Sequence, residues 1–288
     1  MLNWRIRHAE LYKANRRSEA RTSEPVCRAV SASQHLMPAR PGDKEIPKPV
    51  RNDDRVCAFT LAEVLITLVI IGVIAALTIP NLMQKYQEQA TVKKVQKFYS
   101  NLSNAYSLAM KENGNIEGWG TTYRDEESAA KVYEILFKPY FKIAKDCGPT
   151  NKGNCITNNA YKNLNNTTSS GFGYNVKNYY KITLDDGAAV FFNKYDQNLI
   201  NINYDVNGIK GPNQRGKDFF YFMITRGKIF PIGIPSGNYS FSSYSFNAHC
   251  NSTTSDGYGC TAWVIYKGNM DYLHCDGLTW DKHSCKDK

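Results

Sequence analysis

The run Phe59–Ile79 constrains this chain more than any other stretch. It reads FTLAEVLITLVIIGVIAALTI and carries a single charge, Glu63. As a helix it spans about 31 Å, the depth of a bilayer's hydrocarbon core. A carboxylate inside that core costs roughly 2–3 kcal/mol or more, so Glu63 needs a reason to be there. Pro80 follows and is expected to kink or loosen the helix. Beyond it, Leu82, Tyr86, Val95, Tyr99, Leu102, Tyr106 and Ala109 recur at mostly three- and four-residue steps with polar residues between them. Asn113-Gly114 reads as the stop. The pattern therefore predicts one helix over 59–113, apolar all round at first and amphipathic afterwards.

Upstream, residues 1–58 show no sustained period. Stretches such as Pro38-Ala39-Arg40-Pro41-Gly42-Asp43 offer too little apolar surface to offset ordering entropy, so disorder is expected. The formal net charge is +10, and this segment alone holds 12 Lys and Arg against 7 Asp and Glu. Its bases are mostly Arg, whereas those of 59–288 are mostly Lys and scattered, as a solvated surface requires rather than a nucleic-acid face.

Downstream, Asp125–Ile143 reads as a shorter helix with acids in its first turn. Tyr180–Leu184 and Ala189–Phe192 flank an Asp186-Gly187 hairpin signal. Leu199–Val206 and Phe219–Thr225 form a second pair around the loop Asn207–Lys217. Lys228–Ile234 reads as an edge strand, and Thr261–Leu273 as a short helix or strand. The fold class expected is α+β, with a long N-terminal helix packed on an antiparallel sheet and a Cys-rich tail. Abundant Tyr and Phe near the strands are read as core rather than as a ligand platform.

The octet Ala58-Phe59-Thr60-Leu61-Ala62-Glu63-Val64-Leu65 resembles the prepilin cleavage and methylation motif, and Ile79-Pro80-Asn81-Leu82 resembles the helix of type IV pilins and type II secretion pseudopilins. The resemblance is specific over about 59–113. It implies four segments: a leader or misassigned upstream segment, 1–58; a transmembrane and filament-core helix, 59–80; its amphipathic continuation, 81–113; and an extracytoplasmic globular domain, 114–288. A prepilin peptidase would cut between Ala58 and Phe59 and methylate the new Phe59 amine, and Glu63 would register the subunit by pairing with that amine in its own or a neighbouring chain. Other implied partners are pilin-like subunits contacted through the helix, an assembly platform protein, an ATPase, and membrane lipid before assembly. The implied location is the cytoplasmic membrane, single-pass, then a periplasmic pseudopilus or a surface fibre.

The family usually has Gly before the cut, where this chain has Ala58, and a shorter leader, so a true start near residue 50 is expected. The rival class is a membrane-anchored binding module, such as an adhesin or a DNA-uptake minor pilin. A plain signal anchor or secretory signal is the bland reading, and neither explains Glu63 beside Phe59-Thr60-Leu61. No catalytic set stands out, and the chain reads as a structural protein rather than an enzyme.

Six cysteines follow the leader: Cys147, Cys155, Cys250, Cys260, Cys275 and Cys285. An even number in a region placed outside the membrane suggests three disulfides, for which 15 connectivities exist. Sequence neighbours are the expected pairs; zinc, with His249, His274 and His283 nearby, is the rival. Finally, Asp205, Asn207 and Asp218 offer hard oxygen atoms of the kind calcium takes, a loop that some secretion pseudopilins resemble. No Asp-x-Asp-x-Asp-Gly series is present, so a loop shaped by Gly and Pro, with no cofactor, is the preferred reading.

Overall fold

The computed structural model describes residues 60–120, 124–157, 159–169, 177–225, 227–235 and 244–286. The chain divides into two units at Ile79/Pro80. In the first, the described residues are Thr60 and the helical segment after it. Helix α1, Leu61–Asn113, begins there and continues into the second unit as one element. The expected loosening at Pro80 does not interrupt it. Proline removes one backbone hydrogen bond, and the cooperative ladder on either side keeps the element intact. Gly114 closes it in a left-handed conformation at φ 73°, its N–H donating to Met110 O at 3.0 Å.

The second unit is built on a six-stranded antiparallel meander: β1 Ile143–Gly148, β2 Tyr180–Leu184, β3 Ala189–Asp196, β4 Leu199–Asp205, β5 Phe219–Thr225 and β6 Lys228–Pro231. Spatial order equals chain order. At its centre Ile202 pairs with Phe192 on one side and Phe222 on the other. The period-2 rule then sorts side chains between two faces. Ile182, Val190, Phe192, Ile200, Ile202, Tyr204, Phe220, Phe222 and Ile224 meet Val92, Val95, Phe98, Leu102, Ala105 and Ala109 of α1. On the opposite face Phe191, Leu199, Phe219, Tyr221 and Met223 lie under Ile156, Tyr161, Tyr179 and Ile232. Aromatic stacking joins the layers, with Phe98 on Tyr204 at 4.1 Å and Phe137 on Phe192 at 4.1 Å between ring centroids.

The helix expected over 125–143 is shorter. Helix α2 covers Glu126–Val132, capped by the Asp125 side chain, and a π-turn, Tyr133–Phe137, follows. The chain then enters β1, which the sequence reading lacked. Pro139 cannot continue a helix, and β1 carries register shifts on its one partner, so neither helical nor alternating periodicity marks it. The edge strand also stops at Pro231 rather than Ile234. Near the C-terminus, α3 covers Phe246–His249, α4 covers Cys260–Lys267, and a 3-10 turn covers Asp271–Leu273, so the expected 261–273 element is helical and broken at Gly268.

Three disulfides join the described cysteines as sequence neighbours: Cys147–Cys155, Cys250–Cys260 and Cys275–Cys285. Two of the three nearby histidines face carboxylates. His249 Nδ1 lies 2.9 Å from Asp256, and His274 Nε2 lies 2.9 Å from Glu88.

Candidate functional site at the helix start

Thr60 and Glu63 close a reciprocal ring at the first turn of α1. Thr60 Oγ1 accepts from the Glu63 N–H at 3.2 Å, while Glu63 Oε2 accepts from the Thr60 N–H at 2.9 Å and from its hydroxyl at 2.9 Å. This is a capping box: two otherwise orphaned helix N–H groups find side-chain acceptors. The carboxylate is thereby solvated by its own helix end, whose dipole also favours negative charge. The Thr-x-x-Glu spacing before an apolar run carried this signal, and the sequence reading assigned Glu63 only to assembly. Ala58 and Phe59 lie outside the described residues.

From Leu61 onward the helix is long and apolar enough to cross a membrane, and among the described residues none buries its apolar window. Leu61 is 78% exposed and Leu77 71%, exposures that water would penalise along the whole segment. Thr67 and Thr78 return their hydroxyls to the carbonyls of Val64 and Ile74, so their polar atoms are satisfied within the helix.

The three calcium candidates do converge. The loop after β4 folds so that the Asn207 N–H donates to Asp205 Oδ1 at 3.2 Å, while Asp218 accepts from the N–H groups of Asn213 and Gln214 at 2.8 and 2.6 Å. Asp205 Oδ2 accepts from the Tyr161 hydroxyl at 2.7 Å. The Asn213 amide, which the sequence reading missed, reaches Asp205 Oδ2 at 3.2 Å and the carbonyls of Gly208 and Lys210 at 3.0 and 3.2 Å. Burial, reinforced by the neighbouring charge of Asp218, pushes the Asp205 carboxyl well above its usual range; burial also raises Asp218. Asn207 Oδ1 is buried and accepts no hydrogen bond. Two buried carboxylates and an orphaned amide oxygen therefore share this loop, and the carboxylates already accept from the Tyr161 hydroxyl and from main-chain N–H groups. Among the described residues, no three His, Cys, Asp or Glu side chains converge as a metal-holding group; the remaining oxygens would have to come from Asn and the main chain.

A long apolar N-terminal helix, an antiparallel sheet and a disulfide-bearing C-terminal region make an α+β, pilin-like architecture. Residues 54–79 match the model of the prokaryotic N-terminal methylation motif, and with that motif the chain carries a type IV pilin-like N-terminal segment. No curated protein and no solved structure matched the chain.

Proposed function

We propose that this chain is a structural fibre subunit, a pseudopilin of a type II secretion system or a pilin of a type IV pilus. In this reading a prepilin peptidase cuts between Ala58 and Phe59, removes 1–58 and methylates the Phe59 amine. The helix anchors the subunit in the cytoplasmic membrane with 114–288 outside, then becomes filament core beside its copies. A platform protein and an ATPase drive that transfer. The observation that carries the reading is a helix apolar along its first turns whose one charge there, Glu63, lies in its first turn and four residues after Phe59 in the sequence.

Before assembly the capping box holds the Glu63 carboxylate. After cleavage a cationic amine lies next to it, and in low dielectric that amine attracts the Glu63 of its own or an adjacent subunit. Apolar packing alone would let helices slide by whole turns. A charge pair fixes the register. N-terminal sequencing of the mature protein tests this: N-methyl-Phe at residue 59 is expected, whereas retention of Met1 or a cut after residue 75 would overturn it.

The loop needs no cofactor in this reading; calcium is the alternative, and Asp205, Asn207 and Asp218 are the residues that would hold it. Bound there it would neutralise two buried carboxylates and stiffen the β4–β5 connection. An unchanged melting temperature on going from chelator to calcium would end this part.

A further inference from the structure

A cleft of about 440 Å³ runs between α1 and the turn joining β2 to β3. Its floor is Phe98, Phe141 and Tyr204, and its rim carries Lys94, Lys97 and Lys142, all exposed. Among the described residues none of these three lysines enters an ion pair. Lys94 Nζ reaches only the Val206 carbonyl, at 3.5 Å. Asp185 and Asp186 close one end of the cleft.

Opposite charge collects at the other end of the same sheet. Glu126 and Glu127 are exposed in the first turn of α2, and Glu117 is exposed in the 3-10 turn after α1. The Glu117 carbonyl accepts from Lys194 Nζ at 3.3 Å, which places this patch beside the far end of β3. Glu126 also acts electrostatically on Lys181, a buried amine pushed down to about 8 chiefly by desolvation. The cleft lies by Ala189, where β3 begins. Five residues of strand separate Ala189 from Lys194, about 17 Å.

We infer that the lysine-rimmed cleft of one subunit receives the Glu117/Glu126/Glu127 patch of a second copy of this chain. The two patches are complementary in charge and displaced along the strands. A contact between two different patches of one chain is heterologous, and where each copy also steps along the strand direction it does not close into a ring. Repeated contacts of that kind build an open helical array, which a ring-closing or two-fold contact cannot. The apolar floor would gain cover as the charges meet, and desolvation there strengthens the pairs. This inference rests on the fibre reading above and names the surface by which its outer domains touch.

The test uses the full-length precursor, expressed with its peptidase and assembly machinery, with subunit measured in the sheared fibre fraction. Lys94→Glu with Lys97→Glu should lower assembled subunit about tenfold or more, as should Glu126→Lys with Glu127→Lys, because like charges would then face each other. Combining all four reversals should restore assembly. In a Lys97→Cys, Glu127→Cys chain, a bis-maleimide should link neighbouring subunits in fibres and not in the membrane pool. Native disulfides on non-reducing gels check that each variant folds. If wild-type fibres form and both double reversals assemble normally, the contact is refuted while the fibre reading stands. Normal assembly with lost retention of an anionic polymer would likewise refute it and assign the cleft to that polymer. If the wild-type chain never enters a sheared fibre, the fibre reading falls and takes this contact with it.

Discussion

At the scale of single residues, Thr60 and Glu63 divide two tasks. Replacing Thr60 with Ala removes an N-cap, a loss of about 1 kcal/mol of helix stability, and leaves the Glu63 carboxylate without its hydroxyl donor. Glu63→Val removes the charge altogether. Both variants should insert into membranes normally. Fibre yield should fall partially for Thr60→Ala and be abolished for Glu63→Val, as read by shearing and immunoblot. If Glu63→Val fibres form normally, the pairing argument fails. A second residue-scale prediction concerns Gly208, whose φ of 65° is left-handed and whose added Cβ would lie 2.7 Å from the Gly187 carbonyl oxygen. Gly208→Ala should lower the melting temperature and weaken any calcium response, since it displaces the loop that gathers Asp205, Asn207 and Asn213. Much of this was legible in the sequence. Glu63 stands out as the only charge in its run, and Asp205-Val206-Asn207-Gly208 as an oxygen-rich turn. Asn213 was not, because its amide joins the cluster through a loop conformation that side-chain type does not encode.

At the scale of elements, β2 to β5 were readable because β-branched and aromatic residues fall between clear turn signals. Strand β1 was not, since Ala144, Lys145 and Asp146 are exposed at an irregular edge and nothing alternates. Strand β5, FFYFMIT, is buried on both faces, so alternation there sorts residues between two cores rather than core and solvent. Those cores make the tyrosines informative. Burial raises Tyr106, Tyr133 and Tyr179 to about 12, helped at Tyr133 by a hydrogen bond to Asp146 and opposed at Tyr179 by the nearby Arg124 charge. A folded pKa above the unfolded value of about 10 means the folded state keeps its proton longer. The resulting stability is fully present below pH 10 and lost as pH rises through 12. Phenolate absorbance should therefore lag behind that of the unfolded chain and rise together with loss of the fold. Early titration of these rings would contradict the packing described. The first disulfide ties the end of β1 to the loop after it. Cys147→Ser with Cys155→Ser should cost about 2–4 kcal/mol in denaturant unfolding.

At the scale of the whole molecule, the apolar first unit and the sheet-based second unit ask for different surroundings. Among the described residues the apolar segment of the first is exposed and calls for lipid or other helices, whereas the second buries its own aromatics. Purified mature protein should therefore require detergent, and removal of detergent should drive self-association through the helix, as light scattering would detect. Raised salt should loosen assembled fibres before it affects the fold of single subunits, because exposed charge pairs are screened and buried packing is not. The order of the long helix and of β2 to β6 was legible from periodicity and turn signals. The placing of the acidic and basic patches at opposite ends of the sheet was not, because it depends on which end of the sheet each loop reaches.

The disulfides carry a mechanical consequence. Each closes a span of only 8 or 10 residues, and none bonds α1 to the sheet. Besides the backbone that continues from Asn113, a subunit tugged by its helix passes load to the sheet through Val92, Val95, Phe98, Leu102 and their neighbours packed against the strands. Covalent staples keep the outer loops in shape, while tensile strength rests on interlocked side chains. Reducing agents should therefore soften the surface of this domain long before they weaken its grip on the helix.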